Sequence, residues 1–290
     1  MRRAFKVFAA LTVGLTVASL TVVASAASPE QDVAKRVAVG GSCAGCELSG
    51  HQLAGASFTG GQFMKSALVG TDLRGAELSG SNFSAADFTR ADLRGAEMTG
   101  SNFNGANFSN AAMMGVQGSG SNFTGAVLNG ARLTGAALAG AVLNGAVGRA
   151  ADLSKAELQG ASLVNARFEG ASFRGADLTG SRLTGGQFPG ADFHGADLQS
   201  VGLRGADLSG ARGLTQDQLD EACTDAETRL PAGLKGHNGC HSVEARMPRM
   251  PPTPPVPPTP AAASEAMAHS RQAMEHAREA IRRALGNQQQ

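Results

Sequence analysis

The chain has 290 residues, a formal net charge of +1 and neither Trp nor Tyr. With no basic stripe and neither Trp nor Tyr on which bases could stack, it is not expected to hold nucleic acid. Its 39 glycines are periodic over most of the chain, and that period organises everything else.

Residues 1–26 read as an export signal. Arg2, Arg3 and Lys6 precede an apolar run from Val7 to Val23 and the small-residue cleavage box Ala24-Ser25-Ala26. Cleavage is placed after Ala26, with Ala27 as the alternative. The run is short, rich in Thr and Gly and followed directly by that box, which argues against a membrane-spanning helix. No Cys follows the box, so no lipid anchor is expected there. The string Arg2-Arg3-Ala4-Phe5-Lys6 lacks the full twin-arginine motif, and general secretion is the expected route. The expected destination is the periplasm or the extracellular space, with no integral membrane segment after cleavage. Residues 27–45 then lead into the repeat as an N-terminal cap segment.

From Cys46 to Gly210 run 33 consecutive five-residue units without insertion or deletion, each small, polar, large-apolar, polar, Gly. The central place departs from Leu, Phe or Met only at Gly118 and Gly148. A helix repeats its apolar face every 3.6 residues and a strand every 2, so a strict five means that each unit makes one side of a coil and then turns. The segment 71–88 nearly recurs at 91–108, which sets four units to a turn. At that offset Phe63, Phe83, Phe103 and Phe123 share a side, preceded by Gln62, Asn82, Asn102 and Asn122. These units resemble the pentapeptide-repeat family, whose A(D/N)LxG signature appears as Ala91-Asp92-Leu93-Arg94-Gly95, Ala176-Asp177-Leu178-Thr179-Gly180 and Ala206-Asp207-Leu208-Ser209-Gly210.

The resemblance implies an all-β solenoid, a right-handed quadrilateral β-helix of about eight coils, with the central residue and the small residue two before it pointing inward. Gly in the fifth place of 25 units permits a turn that a Cβ would penalise. At the parallel-sheet spacing of ~4.8 Å the rod would be roughly 40 Å long, with no room for a channel. Loss of two core side chains at Gly118 and Gly148 predicts local looseness.

Export makes disulfides the expected state of the four cysteines. Pairing across the rod would have to span its ~40 Å, against the ~6 Å Cα separation that a disulfide tolerates, so Cys43 pairs with Cys46 and Cys223 with Cys240. Two other uses of these residues stand beside that one. Cys43-x-x-Cys46 has a redox spacing, although a β-coil comes next where redox proteins place a helix N-terminus. Cys43, Cys46 and His51 at one end, and His237 and His241 flanking Cys240 at the other, are zinc-type ligands in no standard finger spacing. No cofactor is expected.

Residues 211–245 are expected to form a C-terminal cap. Thr215 with Gln218 three residues on makes a capping-box start for a short helix, and such an ending resembles the C-terminal cap that closes the repeats in other exported members of the family. Residues 246–262 form a proline-rich linker, with eight prolines between Pro248 and Pro260, hence an extended spacer. Residues 263–290 read as an amphipathic helical tail. Its stripe of Ala263, Met267, Ser270, Met274, Ala277, Ile281 and Ala284 alternates by four and three. A lone helix of this length is marginal in water, so it is expected to order on a partner or on a copy of itself; the alternative is a solvated appendage.

Function is then structural or interactive, through an unidentified protein partner or self-association. A filled coil offers no pocket, and no Ser, His and Asp grouping emerges from the spacing, so catalysis is not expected; His194, in a fourth place, reads as simply exposed. Members of the family that shield DNA gyrase from quinolones imitate duplex DNA, which requires strong negative potential. Between residues 46 and 210 there are 13 acidic and 11 basic residues, a near balance that disfavours this role. The chain from Met98 to Val147 carries a single charge, Arg132, and places Val127, Ala137, Val142 and Val147 in outward second places. That stretch is either a contact surface or drift toward Ala and Val.

Overall fold

The computed structural model describes residues 41–236. The signal (1–26), most of the 27–45 segment, the linker and the tail with Met267, Met274 and Ile281 lie outside the described residues.

The second-place residue of each unit forms a parallel bridge to the residue twenty positions on, in unbroken series from Glu47↔Ala67 to Asp192↔Arg212. Four columns of bridges result, and the chain visits them in order. Side I holds 46–50 and every twentieth residue after, side II 51–55, side III 56–60 and side IV 61–65. From Cys46 to Leu208 the first and central places are buried except at His51, which is half-buried: Ala76, Leu78, Ala91 and Leu93 are each 0% exposed. Ring stacking follows the columns, with Phe63, Phe83, Phe103 and Phe123 on side IV separated by 4.9, 5.8 and 5.1 Å between successive centroids.

Hydrogen-bond accounting explains the unit. Thr71 N–H closes the preceding turn on the Leu68 carbonyl, Asp72 N–H donates to His51 in the coil before, and Leu73 and Gly75 N–H donate to Asp92 and Arg94 in the coil after. Only the fourth N–H has no place in this ladder. The Asp72 carboxylate accepts it, Arg74 N to Oδ1 at 3.2 Å. Asn122 and Asp192 do the same for Thr124 and His194. The Asp or Asn of the signature is therefore a cap for an otherwise orphaned donor. Where the second place holds no Asp or Asn, a fourth-place Asn one coil earlier can substitute: Asn129 receives Arg149 N at 2.9 Å and Asn144 receives Val164 N at 3.1 Å.

The fifth place is left-handed in every unit, including the eight without Gly, where φ runs from 52° at Ala150 to 58° at Ser200. On side IV the buried hydroxyls of Ser101 and Ser121 bond carbonyls in the coil before, Ser101 to Leu78 at 2.6 Å and Ser121 to Met98. Among the described residues the Ser181 hydroxyl is the one buried side-chain polar atom without a partner.

Three features depart from expectation. First, residues 41–45 already run in register, Cys43 N–H donating to Gln62 and Gly45 N–H to Met64. Cys43 thus fills a central place and Cys46 the next first place; both point inward across one turn, and they are disulfide-bonded with Cα atoms 5.6 Å apart. Second, Gly118 and Gly148 leave no looseness. The Phe168 ring fills the space at Gly148, its Cδ1 lying 2.5 Å from where a Cβ would stand; at Gly118, Leu138 and Met98 close in at 3.0 and 3.5 Å. Third, the register lengthens at the C-terminal end, Gly202 bridging to Cys223 and Asp207 to Arg229.

The lengthened turn contains α1 (Gln216–Asp220), with Thr215 as N-cap and a complete capping box with Gln218. α1 lies where side III would continue. Its Gln218 amide donates to the Ala196 carbonyl at 2.7 Å, an acceptor that a further coil would otherwise use, and Asp225 accepts Gly205 N–H at 2.8 Å in the same substitute role.

Candidate interaction surfaces

Inward places are spent on packing, so recognition chemistry resides in the second, fourth and fifth places of each side. Sorting the charges of 46–210 by side changes the picture of a near-neutral rod. Side I has Glu47, Asp87, Glu169 and Asp207 against Arg90, Arg149 and Arg167. Side II has Asp72, Asp92, Asp152 and Asp192 against Arg74, Arg94, Arg132, Lys155 and Arg174. Side III carries Glu77, Glu97, Glu157, Asp177 and Asp197 with no basic residue, and side IV carries Lys65, Arg182 and Arg204 with no acidic one.

Side II is internally neutralised. Arg74 grips Asp72 at 2.7 Å and approaches Asp92 at 3.9 Å, while Arg94 grips Asp92 at 2.6 Å. Hydrogen bonding from Arg74 holds the Asp72 carboxyl below the ordinary range, and Arg94 does the same for Asp92. On side III the carboxylates stack without such partners, Glu77 on Glu97 and Glu157 on Asp177 on Asp197. Burial works against the charge of Asp177, but Thr179 and the Gln159 amide at 2.6 Å outweigh it and keep its pKa lowered. Side IV opens with an amide ladder, Asn102 donating to Asn82 and Asn82 to Gln62, each at 3.1 Å.

His194 is more than an exposed residue. Its Nδ1 lies 2.6 Å from Asp192 Oδ1 and its ring packs against Gly213. Burial alone would raise the Asp192 pKa; the His194 N–H and ring, together with Arg174 at 3.1 Å, bring it down to about 2. Among the described residues the ring has no other hydrogen-bond partner, and the pair lies against the residues that close the last full coil.

Val127 and Val147 are bridged neighbours on side I, but Val142 lies on side IV between Asn122 and Ser162, and Ala137 on side III. All four are half-buried. The apolar stretch read along the chain thus wraps three sides and forms no single flat patch. At the N-terminal end, the disulfide removes Cys43 and Cys46 as thiolate ligands, and His51 Nδ1 bonds the Ser49 carbonyl at 3.1 Å. Among the described residues no group of three His, Cys, Asp or Glu side chains could hold a metal. Cys223 is disulfide-bonded; Cys240, His237 and His241 lie outside the described residues. No helix among the described residues is long and apolar enough to cross a membrane. Gly195, Ala196, Asp197, Leu198, Thr215, Gln218 and Glu221 line an open notch between the last coil and α1.

Comparison with known proteins agrees with this geometry. Residues 66–105, 81–117, 106–145, 151–186 and 176–212 match pentapeptide repeats, in eight copies. Among solved structures the chain is similar to HetL from the cyanobacterium Nostoc sp. strain PCC 7120, a pentapeptide repeat protein involved in heterocyst differentiation regulation. Identity is 27%, over 66% of this chain and 92% of HetL, with a TM-score of 0.25. It is also similar to alr5209 of Nostoc PCC 7120, at 33% identity over 39% of this chain and 77% of the other, TM-score 0.16. QnrB1, a plasmid-mediated fluoroquinolone resistance protein, is 23% identical over 69% of this chain and 93% of its own, TM-score 0.36. No curated protein matches the chain. With its unbroken register of four columns and its repeat matches, this chain belongs to the pentapeptide-repeat family.

Proposed function

We propose that the chain is an exported, non-catalytic rod that presents chemically distinct flat sides to a protein partner, with the tail helix as a second association element. The observation that carries this reading is the sorting of charge by side, five acidic residues and no basic one on side III beside three basic residues and no acidic one on side IV. Side III fits a cationic surface on the partner, and the stretch with few charges around residues 98–147 separates its two acidic runs. Export rests on the signal at 1–26 and on the cysteines.

The test is capture from envelope extracts with three proteins: the full chain, one lacking residues 248–290, and a charge-stripped rod combining Glu77→Gln, Glu97→Gln, Glu157→Gln, Asp177→Asn and Asp197→Asn. Loss of capture by the stripped rod locates recognition on side III. Unchanged capture by both altered proteins overturns the reading. Met274→Asp with Ile281→Asp, followed by light scattering, isolates the tail, since a charge placed in a desolvated seam disrupts association. Non-reducing peptide mapping of exported protein checks the pairs Cys43 with Cys46 and Cys223 with Cys240; free thiols with stoichiometric zinc would favour a metal-binding envelope protein instead.

A second reading is kept because side III favours it. A one-sided acidic ladder could present a DNA-like surface to gyrase even on a rod whose total charge is near zero. Protection of gyrase supercoiling by the purified rod, with an uncleaved N-terminus in the cytoplasm, would move the assignment there.

A further inference from the structure

The capping of the fourth N–H decides which asparagines of the rod are tied down. Three Asn-Gly pairs stand at the fourth and fifth places of the described coils: Asn104-Gly105, Asn129-Gly130 and Asn144-Gly145. Their backbones are alike. Each glycine is left-handed at φ 64°, and each donates its N–H at 2.9 Å to a fourth-place carbonyl of the next coil, Thr124, Arg149 and Val164 in turn.

The side chains differ. In the coil above Asn129 the second place is Val147, which has no acceptor; above Asn144 it is Ser162, whose hydroxyl is spent on Asn144 Oδ1 at 2.7 Å. The fourth N–H there is capped from below, Asn129 Oδ1 receiving Arg149 N–H at 2.9 Å and Asn144 Oδ1 receiving Val164 N–H at 3.1 Å. Above Asn104 the cap is already supplied. Asn122 accepts Thr124 N–H at 3.0 Å, and the exposed Asn104 side chain has no hydrogen bond among the described residues.

An asparagine followed by glycine deamidates when the glycine nitrogen attacks the side-chain Cγ, an approach that no Cβ shields. The new bond joins that nitrogen to Cγ, the amide Cγ–N bond breaks, and ammonia leaves carrying the proton from the glycine N–H. Water then opens the cyclic imide at either carbonyl and yields aspartate or isoaspartate. Chain and water are the only reactants. Attack requires the side chain to turn back over the following peptide bond, which the tethers of Asn129 and Asn144 oppose and no hydrogen bond opposes at Asn104.

We infer that Asn104 is the deamidation site of the described rod, selected over two like pairs by the capping pattern of the coil. Aspartate at this position places an acid on side IV, where the charges of the repeat are Lys65, Arg182 and Arg204, next to the amide ladder of Gln62, Asn82 and Asn102. Isoaspartate runs the main chain through Cβ. The lengthened backbone cannot keep both Ala85 N–H on the Asn104 carbonyl and Gly105 N–H on Thr124. The inference is independent of which partner the rod meets.

The test incubates the folded full chain at mildly alkaline pH in water enriched in heavy oxygen, which marks acid formed during the incubation, and follows each site by peptide mapping. Asn104 should convert about fivefold or more faster than Asn129 and Asn144, the ratio that freedom from one hydrogen bond allows. In denaturant the three rates should draw together, which separates the fold from the preceding Phe103, Leu128 and Leu143. Asn238-Gly239 lies outside the described residues and is scored on its own peptide. Two substitutions exchange the roles. Val147→Asn gives Arg149 N–H its own cap and should release Asn129 to the rate of Asn104, whereas Asn122→Val removes the Thr124 cap, recruits the Asn104 side chain and should slow its conversion. Equal rates for the three in the folded chain, a lead of Asn104 that persists undiminished in denaturant, or an Asn129 rate unmoved by Val147→Asn overturns the inference.

Discussion

Filling Gly148 should weaken the rod, the opposite of what the sequence predicts for an empty core position. A Cβ on Gly148 would stand 2.5 Å from Phe168 Cδ1 and closer still to Cε1. Ordinary carbon contact is ~3.5–4 Å, so the ring edge must retreat by about 1 Å or more. It has nowhere to go, with Phe173 at 5.7 Å and Phe188 at 6.3 Å between centroids. Overpacking of this kind destabilises by about 1–3 kcal/mol. The backbone at Gly148 is not left-handed, so Ala there restricts the unfolded chain and returns ~0.4–1 kcal/mol, which is smaller. Gly148→Ala should therefore lower the urea midpoint without changing the slope and lower Tm by several degrees. Gly118→Ala is the control. Its nearest neighbour, Leu138 Cδ2, is at 3.0 Å and the adjoining Met98 is flexible, so the change should stay within about 1 kcal/mol. Phe168→Leu should rescue Gly148→Ala, with a coupling of about 0.5–3 kcal/mol in the double-mutant cycle. A midpoint for Gly148→Ala at or above that of the parent refutes the reasoning.

Ala85, held at φ 55°, should gain stability on change to Gly, by up to about 1 kcal/mol after the added unfolded-state entropy is deducted from the ~1–2 kcal/mol left-handed penalty; Gly95→Ala, in open space at φ 66°, should lose a similar amount, both read by thermal unfolding. Ser181→Ala, which removes a buried unpartnered hydroxyl, should raise the midpoint, and Ser121→Ala, which removes a bond of 2.5 Å to the Met98 carbonyl, should lower it by about 1 kcal/mol. Asp192 has a folded pKa depressed from 3.8 to about 2, so its contribution is complete above about pH 4 and is lost as pH falls through about 2. Asp192→Asn should flatten that part of the acid-stability profile, and an unchanged profile would discount the Arg174 and His194 contacts.

The period of five and the offset of twenty were legible because each is enforced by a backbone ladder that tolerates no slip, and Leu or Phe in the central place marks it directly. Unit 41–45 escaped because its central residue is Cys43, which looks like a disulfide partner and not like core. Phe168 could be named from the sequence as a neighbour able to fill the space at Gly148, but whether it does depends on which way the ring turns, and a rotamer leaves no trace in composition. The charge pattern was present in the sequence all along: summing acids and bases over the rod averages four sides that a partner would meet separately. His194 is exposed, as its fourth place implies, but its contact with Gly213 could not be read, since it depends on how the cap returns over the last coil.

Side III can be tested through the cost of its own chemistry. Asp177 and Asp197 are explained by the fold, because each accepts the fourth-place N–H of its unit, at 3.0 and 2.9 Å. Glu77, Glu97 and Glu157 are not. Among the described residues they accept no backbone hydrogen bond and meet no cation, and two of them stack directly on each other. Stability alone would place Asn there, as at Asn82, Asn102 and Asn122, where the side chain caps the fourth N–H, and at Asn82 and Asn102 it also joins a ladder. Glu77→Asn, Glu97→Asn and Glu157→Asn together should therefore raise the unfolding midpoint, each cap adding about 0.5–1.5 kcal/mol and relief of like-charge stacking a little more. The same triple change should reduce capture of the envelope partner. A stabilised rod that still captures its partner would mean that the three glutamates serve neither the fold nor recognition, and a destabilised rod would mean that they hold the coil in a way the hydrogen-bond accounting misses.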